Sequence, residues 1–389
     1  MAMKKKISLP FARVSAFVHD TFPTMHEQRI LSVANATTGV LHSASLAISA
    51  IGAGLAGIRG LVPKHATKQV DRLLSNPKLD VDSLATTWVP YLLADRAEAV
   101  LALDWTDFDA DDHTTLALNL ITNHGRATML LWKTVRKSEL AGKRNDVEDE
   151  ILEKLANIIR YHVNHPIRIT VICDRGFADH KFFKWITDLR FDFVIRFKQS
   201  TLVADHNGDS KKAQDWVPAN GRAKKIEPAL ITSQRFPVAA VVCIKEKGMK
   251  EPWCLATSLV GKPPREIINL YSRRFTIEET FRDGKDPHFG LRLSQVRSAD
   301  PHRRDRLLFV CALAIALLTL LGAASEAAGL DRLLKANTVK TRTHSLFRQG
   351  LYWFNALPNA PDKWRRPLLE HFNRILEQHA LCQAVFAVL

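Results

Sequence analysis

The chain is 389 residues long, enough for two or three domains around a sizeable core. Hydrophobic residues make up 46%, which excludes a disordered chain, and a formal charge of +15 with a pI near 9.7 favours a polyanionic partner, most simply nucleic acid. Five scattered cysteines (Cys173, Cys243, Cys254, Cys311, Cys382) include no C-x-x-C pair, so neither a disulfide framework nor a zinc site is expected and a reducing cytoplasm fits.

The opening MAMKKKISLPFARVSAF is basic but has no sustained apolar run, because Pro10 and Arg13 interrupt it, and no signal peptide is expected. The first ninety or so residues read as short helices ended by Gly or Pro. In VPKHATKQVDRLL, Pro63 starts a helix with Val70, Leu73 and Leu74 facing inward. Lys64, Lys68 and Arg72 recur every four residues there, forming one basic ridge suited to a DNA groove or its phosphates, or to a solvated face. GAGLAG, just upstream, has the letters of a dinucleotide fingerprint, but no strand precedes it.

From about residue 99 the pattern changes to strands: AVLALDWTDF, TTLALNLIT and ATMLLWKTV suggest an antiparallel meander. A charged helix near residues 147–162 leads to the buried strand of IRITVICDRG, then a short helix and the strand FDFVIRFK. This order predicts a mixed α/β sheet with an antiparallel flank. Residues 200–260 read as β-rich, with ALITSQRF, AAVVCIKEK and WCLATSL as strands, and helices resume at PPREIINLYSRRF. LLFVCALAIALLTLLGAA, residues 307–324, is long enough to cross a bilayer but stands alone in a charged chain, so a buried core helix and no membrane partner are expected.

Two acids sit where apolar strands run out: Asp104 in LALDWTD and Asp174 in VICDRG. Such ends are where α/β sheets hold ligands, although a strand-end Asp also commonly caps a turn. A third acid stands in YSRRFTIEETFRDGK, residues 271–285, where nothing breaks a helix before Gly284. At about 100° per residue, Tyr271, Arg274, Glu278 and Lys285 fall in a band about 60° wide, beside an apolar stripe of Leu270, Ile277 and Phe281. One acid amid phosphate-gripping donors suits a metal-and-phosphate site, and ordinary helix ion pairs would leave Tyr271 and Lys285 unexplained. Three carboxylates are enough to hold two Mg²⁺ ions for phosphodiester chemistry.

The spacing Tyr-x2-Arg-x3-Glu-x6-Lys resembles the signature of the insertion-sequence-four family of bacterial DDE transposases, and DWTD, CDRGFAD, EPWCLATSL and IEETFRD resemble that family's blocks in the same order. The resemblance spans about residues 60–325. It implies an α/β fold with an RNase H-like core interrupted by a β-strand insertion and flanked by helical regions. It also implies a metal-binding triad of Asp104, Asp174 and Glu278 holding two Mg²⁺ ions, with Mn²⁺ as substitute. Tyr271, Arg274 and Lys285 would hold transposon-end DNA, Arg196 and Lys198 match basic DNA contacts, and Trp253 matches a tryptophan used against a flipped base. Asp107 and Asp109 compete with Asp104 for the first position, and Phe275 stands where some relatives carry Trp.

The expected organisation is a helical end-binding domain (1–95, with Lys64, Lys68 and Arg72 reading or tracking DNA), a core in two parts (96–199 and 261–325), a β-rich insertion (200–260) and a C-terminal helical region (326–389) as a candidate for dimerisation. The expected activity is cut-and-paste transposition with nicking, hairpin formation and resolution, and strand transfer. It would be carried out by a homodimer on terminal inverted repeats and target double-stranded DNA, in the bacterial cytoplasm at the nucleoid. The competing readings are an RNase H-like nuclease that does not join ends, and a catalytically inactive DNA-binding regulator.

Overall fold

The computed structural model describes residues 11–286, 291–378 and 384–386; Lys4, Lys5, Lys6 and Cys382 lie outside the described residues. Five helices come first: α1 (Phe11–Thr21), α2 (Glu27–Ser43), α3 (Ile48–Arg59), α4 (Pro63–Leu74) and α5 (Val81–Leu93). GAGLAG is helical, and two of its glycines, Gly52 and Gly54, serve packing. A Cβ on Gly52 would lie 2.2 Å from Thr67 Oγ1, and one on Gly54 would lie 2.7 Å from the Gly39 carbonyl, so α2, α3 and α4 meet almost backbone to backbone. Pro63 opens α4, whose buried face is Ala66, Val70, Leu73 and Leu74.

The strands that follow are β1 (Glu98–Phe108), β2 (His113–Leu120) and β3 (Thr128–Arg136), then α6 (Arg144–His162), β4 (Arg168–Cys173), α7 (His180–Asp188) and β5 (Asp192–Arg196). Next come β6 (Leu202–Ala204), β7 (Ser210–Lys212), β8 (Lys224–Ile226), β9 (Ala229–Ile231), β10 (Phe236–Val238), β11 (Ala240–Ile244) and β12 (Trp253–Thr257). The main sheet has the order β3-β2-β1-β4-β5-β12-β11-β8. Strands β1, β4 and β5 run parallel at its centre, and antiparallel strands flank them on both sides. Three strands from residues 200–260 therefore lengthen the main sheet, while β10-β9-β6-β7 form a second, small sheet.

At its parallel centre the sheet has a different apolar core on each face, and the larger core wraps round both faces of β2 and β3. Leu103, Cys173 and Ile195 face the larger one with α6, α7 and the N-terminal helices. Ala102, Ile172, Val194 and Leu255 face the smaller one with Ile267, Ile268, Tyr271 and Ile277. Those last four come from α8 (Pro264–Ser272) and α9 (Phe275–Lys285). The continuous helix expected through residues 271–285 is thus two helices. The joint at Arg273–Arg274 is made by tighter bonds between residues three apart, Arg274 N to Tyr271 O at 2.9 Å and Ile277 N to Arg274 O at 3.0 Å. Helix α9 does run through Gly284 to Lys285.

The chain closes with α10 (Pro301–Ala327), α11 (Leu346–Ala356) and α12 (Asp362–Glu377). Helix α10 is long and apolar enough to cross a membrane, yet its most apolar stretch is 94% buried inside the protein, against α2, β3, α11 and α12. Its crossing with α11 is unusually close: a Cβ on Gly322 would stand 1.9 Å from the Leu346 carbonyl, and one on Gly350 1.8 Å from that of Leu318. The basic start of α10 holds α4. Arg303 Nη2 donates to Asp71 Oδ1 at 2.6 Å, and Arg306 Nη1 donates to the Leu74 carbonyl at 3.1 Å, placing cations at the C-terminal end of a helix dipole.

Candidate active site

Register places the first two acids together. The parallel ladder of β1 with β4 ends at Leu103 opposite Cys173, and that of β4 with β5 ends at Cys173 opposite Ile195. Asp104, Asp174 and Arg196 are therefore the next residues on three adjacent strands, about 4.8 Å apart from strand to strand. Since Leu103, Cys173 and Ile195 face the larger core, the pleat turns Asp104, Asp174 and Arg196 to the side of α8 and α9. The same alternation turns Asp107 away from Asp104, and Lys137 holds Asp107 at 3.1 Å and Asp109 at 2.6 Å.

Arg274 supplies the third element. At the joint between α8 and α9 its side chain, 9% exposed, points inward: Nη1 donates to Asp104 Oδ2 at 2.9 Å and Nη2 to Glu278 Oε1 at 2.6 Å. Its Nε is buried without a hydrogen-bond partner. Burial pushes the Asp104 carboxyl up to about 6, against the pull of Arg274 and with further upward pressure from the negative charges of Asp174 and Glu278. Two acids thus share one guanidinium, and Asp174 acts on Asp104 through its charge. Asp104 Oδ1 also accepts from Trp105 N at 2.9 Å, and Asp174 Oδ1 accepts from Gly176 N at 2.8 Å.

The remaining residues singled out in the sequence fall into three groups. Lys285 lies near the end of β1, its Nζ donating to the Asp107 carbonyl at 2.6 Å and standing 4.4 Å above the Phe108 ring. Tyr271 is 1% exposed and packs edge-on against Trp253 at 5.0 Å, so its ring belongs to the smaller core. Trp253 also touches Phe275, which is 42% exposed, at 5.9 Å. Arg196 pairs with Glu251 at 2.6 Å, and Lys198 is exposed beyond it. Lys64, Lys68 and Arg72 are exposed along α4, which packs on α2, α3 and α10, with Lys68 3.4 Å from Asp71.

Sequence reasoning missed two features of this region. Asp283 is buried on α9 and pairs with Arg126 and, at 3.4 Å, with Arg348, anchoring the helix that carries Glu278. Arg175, directly after Asp174, is exposed and pairs with Glu251 at 3.4 Å. Only its place directly after Asp174 pointed to Arg175, and nothing local pointed to Arg126.

Residues 95–317, more than half of the chain, match the family model described as the transposase DDE domain. The chain belongs to the DDE transposase family. No curated protein matches it. The matched span of this transposase contains β1, β4 and α9 and so all three acids. DDE transposases act on DNA and use divalent metal ions. Among the described residues no three His, Cys, Asp or Glu side chains are grouped closely enough to hold a metal. The donor set is nonetheless of the right kind: three hard-oxygen carboxylates are short of positive charge, with Arg274 as the cation between two of them.

Proposed function

We propose that this DDE transposase belongs to the insertion-sequence-four group and excises and inserts its element by cut-and-paste chemistry. One observation carries the reading. Arg274 bridges Asp104 on β1 to Glu278 on α9, and Asp174 follows the neighbouring parallel strand β4, near enough to act on Asp104 by its charge. In this reading residues 96–199 and 261–325 are an RNase H-like core, 200–260 its insertion, 1–95 the end-binding region and 326–389 the surface for a second protomer.

Asp104, Asp174 and Glu278 would hold two Mg²⁺ ions, or Mn²⁺, which supply Lewis acidity at the scissile phosphate and an activated oxygen for attack. Arg274 offers that phosphate a guanidinium already oriented by Asp104 and Glu278. Lys285 adds a second cation at the end of β1, and Arg196 and Lys198 extend the basic path along β5. Tyr271 contributes from beneath, by holding Trp253 and lying close to Arg274. After the first nick, the freed 3′-OH attacks the opposite strand and releases the flank, and the resulting hairpin is then hydrolysed. Closing a hairpin unstacks a base at the end, and Trp253 with Phe275 gives that base an aromatic surface.

The test incubates the full chain with Mg²⁺ and the inverted repeats flanking its own gene, then with plasmid. Nicked ends, hairpins on denaturing gels and joined products are expected. Cleaved ends that never join would instead make it a nuclease. Trp253→Ala should nick but stall before the hairpin, and an abasic nucleotide at the flipped position should partly rescue it. If Trp253→Ala nicks as poorly as a triad variant, its ring serves only the core.

A further inference from the structure

One helix end reaches, from the opposite side of the sheet, the chain just after both Asp104 and Asp174. Trp105 follows Asp104, and its backbone N–H bonds the Asp104 carboxylate at 2.9 Å. The pleat sends the Trp105 side chain to the α6 side, where its indole Nε1 donates to Glu148 Oε1 at 2.8 Å. Glu148 is 3% exposed and pairs with Arg144, whose guanidinium lies 4.9 Å over the same indole. The Trp105 ring is therefore fixed at its edge by a carboxylate and on its face by a cation, both from the first five residues of α6.

The same turn reaches the Asp174 loop. Asp174 Oδ1 bonds Gly176 N at 2.8 Å, Asp179 N bonds the Phe177 carbonyl at 3.0 Å, and Asp179 caps α7 through Lys181 N and Phe182 N. Asn145 Nδ2 then donates to Asp179 Oδ2 at 3.3 Å. One turn of α6 thus touches the chain one residue after Asp104 and five residues after Asp174.

We propose that the N-terminal turn of α6 is a clamp that sets the separation of Asp104 and Asp174, with Glu148, acting through Trp105, and Asn145 as positioning residues for the metal-dependent step. The inference rests on the reading of Asp104 and Asp174 as metal ligands. A buried carboxylate is costly unless its bonds are made, so Glu148 defines one position for the indole, and the rigid indole defines one position for the Asp104 peptide. Groups that orient ligands from behind typically govern metal affinity by 10- to 100-fold.

The test titrates Mn²⁺ alone into the full chain by electron paramagnetic resonance and measures the Mn²⁺ requirement of end cleavage. Trp105→Phe removes the donor and keeps a ring, Glu148→Ala removes the acceptor, and Glu148→Gln keeps an acceptor. Trp105→Phe and Glu148→Ala should each weaken Mn²⁺ binding about tenfold and raise the Mn²⁺ needed for half-maximal cleavage equally. End binding and the rate at saturating Mn²⁺ should change little, and Glu148→Gln should stay near wild type. A lowered thermal midpoint with wild-type Mn²⁺ binding in Trp105→Phe would overturn the clamp, and so would a Glu148→Gln no better than Glu148→Ala. Asp104→Asn separates the two readings: if it still binds Mn²⁺ and cuts, the metal-ligand reading fails. If it does neither while the α6 variants behave as wild type, only the clamp fails.

Discussion

Arg274 meets Asp104 at 2.9 Å although 170 residues separate them, and it reaches Glu278, one helical turn away, at 2.6 Å. The ion pair is shielded on the arginine side, 9% exposed, and open on the glutamate side, 49% exposed. In the proposed reading this bridge gives way to metal ions, because one cation serves two acids with a third, Asp174, nearby.

Replacing Asp104, Asp174 or Glu278 by its amide should lower end cleavage by about 10³-fold or more, the scale of losing one catalytic group, while end binding persists. Asp107→Asn should cut within a fewfold of wild type, because Asp107 faces the other side of β1 and pairs with Lys137. Gel assays of cleavage and mobility shift decide it, and a dead Asp107→Asn with an active Asp104→Asn reverses the assignment.

Burial pulls the Lys285 ammonium down to about 8, reinforced by Arg304 and opposed by Asp107 and Asp109. A phosphate on Lys285 would raise that value again, so end binding near pH 8.5 should take up as much as about one proton. Calorimetry in two buffers of different ionisation enthalpy measures this uptake, and Lys285→Arg should abolish it. A wild-type protein that binds ends at pH 8.5 without proton uptake removes Lys285 from the phosphate contact.

In the intact chain, Lys64→Ala, Lys68→Ala and Arg72→Ala combined should flatten the salt dependence of end binding by roughly two to three units, about 0.9 per lost phosphate contact. An isolated fragment of residues 1–95 is the wrong reagent. Phe22 packs edge-on against Phe309 at 5.3 Å, and Arg303 and Arg306 cap α4, so the fragment would expose its core. An unchanged slope in the triple variant makes the ridge a solvated face.

Burial pushes Asp305 up to about 8, against the bond it accepts from Thr134 N at 3.0 Å. A carboxyl whose folded value is raised contributes stability that is full below its unfolded value and is lost as pH rises through the folded one. Asp104, at about 6, is largely spent by pH 7, whereas Glu148, at about 7, still adds to the loss and Lys285, lowered to about 8, opposes it, so the comparison with Asp305→Asn isolates Asp305. Wild-type protein should lose about 2 °C of thermal midpoint over that step, and Asp305→Asn, which keeps an acceptor, should lose less. Equal slopes dismiss the effect.

Gly322→Ala and Gly350→Ala should each destabilise the fold by about 3 kcal/mol or prevent it, since the added methyl has a backbone carbonyl in its place. Gly57→Ala, on α3 with open space around it, should be neutral or slightly stabilising. Thermal midpoints of the three variants compare directly, and a harmless Gly322→Ala would mean that α10 and α11 sit farther apart.

Much of this arrangement was legible because it is written locally. The strand meander, Asp174 at the end of β4 and the facing stripe of Ile277 follow from periods of two and 3.6 residues, whereas Asp104, read as a strand end, lies inside β1 because β2 keeps pairing with it to Phe108. What escaped depends on distant partners. No breaker marks the joint at Arg273–Arg274, which lets Arg274 turn in toward Asp104. Tyr271 reads as a polar ligand group, yet its ring is taken into the core by Trp253. Asp283 looked idle on its helix because Arg126, its partner, lies 157 residues away. Strands β8, β11 and β12 carry no signal of which sheet they will join.

The grip of Arg303 and Arg306 on α4 has a mechanical consequence. Tension applied to α4 passes into α10 through guanidinium bonds, and from α10 into the edge strand β3, where Trp132 Nε1 holds the Asp305 carbonyl at 3.2 Å and Asp305 holds Thr134 N. From β3 the ladder runs through β2 to β1 and Asp104. A tug on α4 thus has a path of hydrogen bonds to the strand that carries Asp104, interrupted only by the register shift between Leu118 and Asn119.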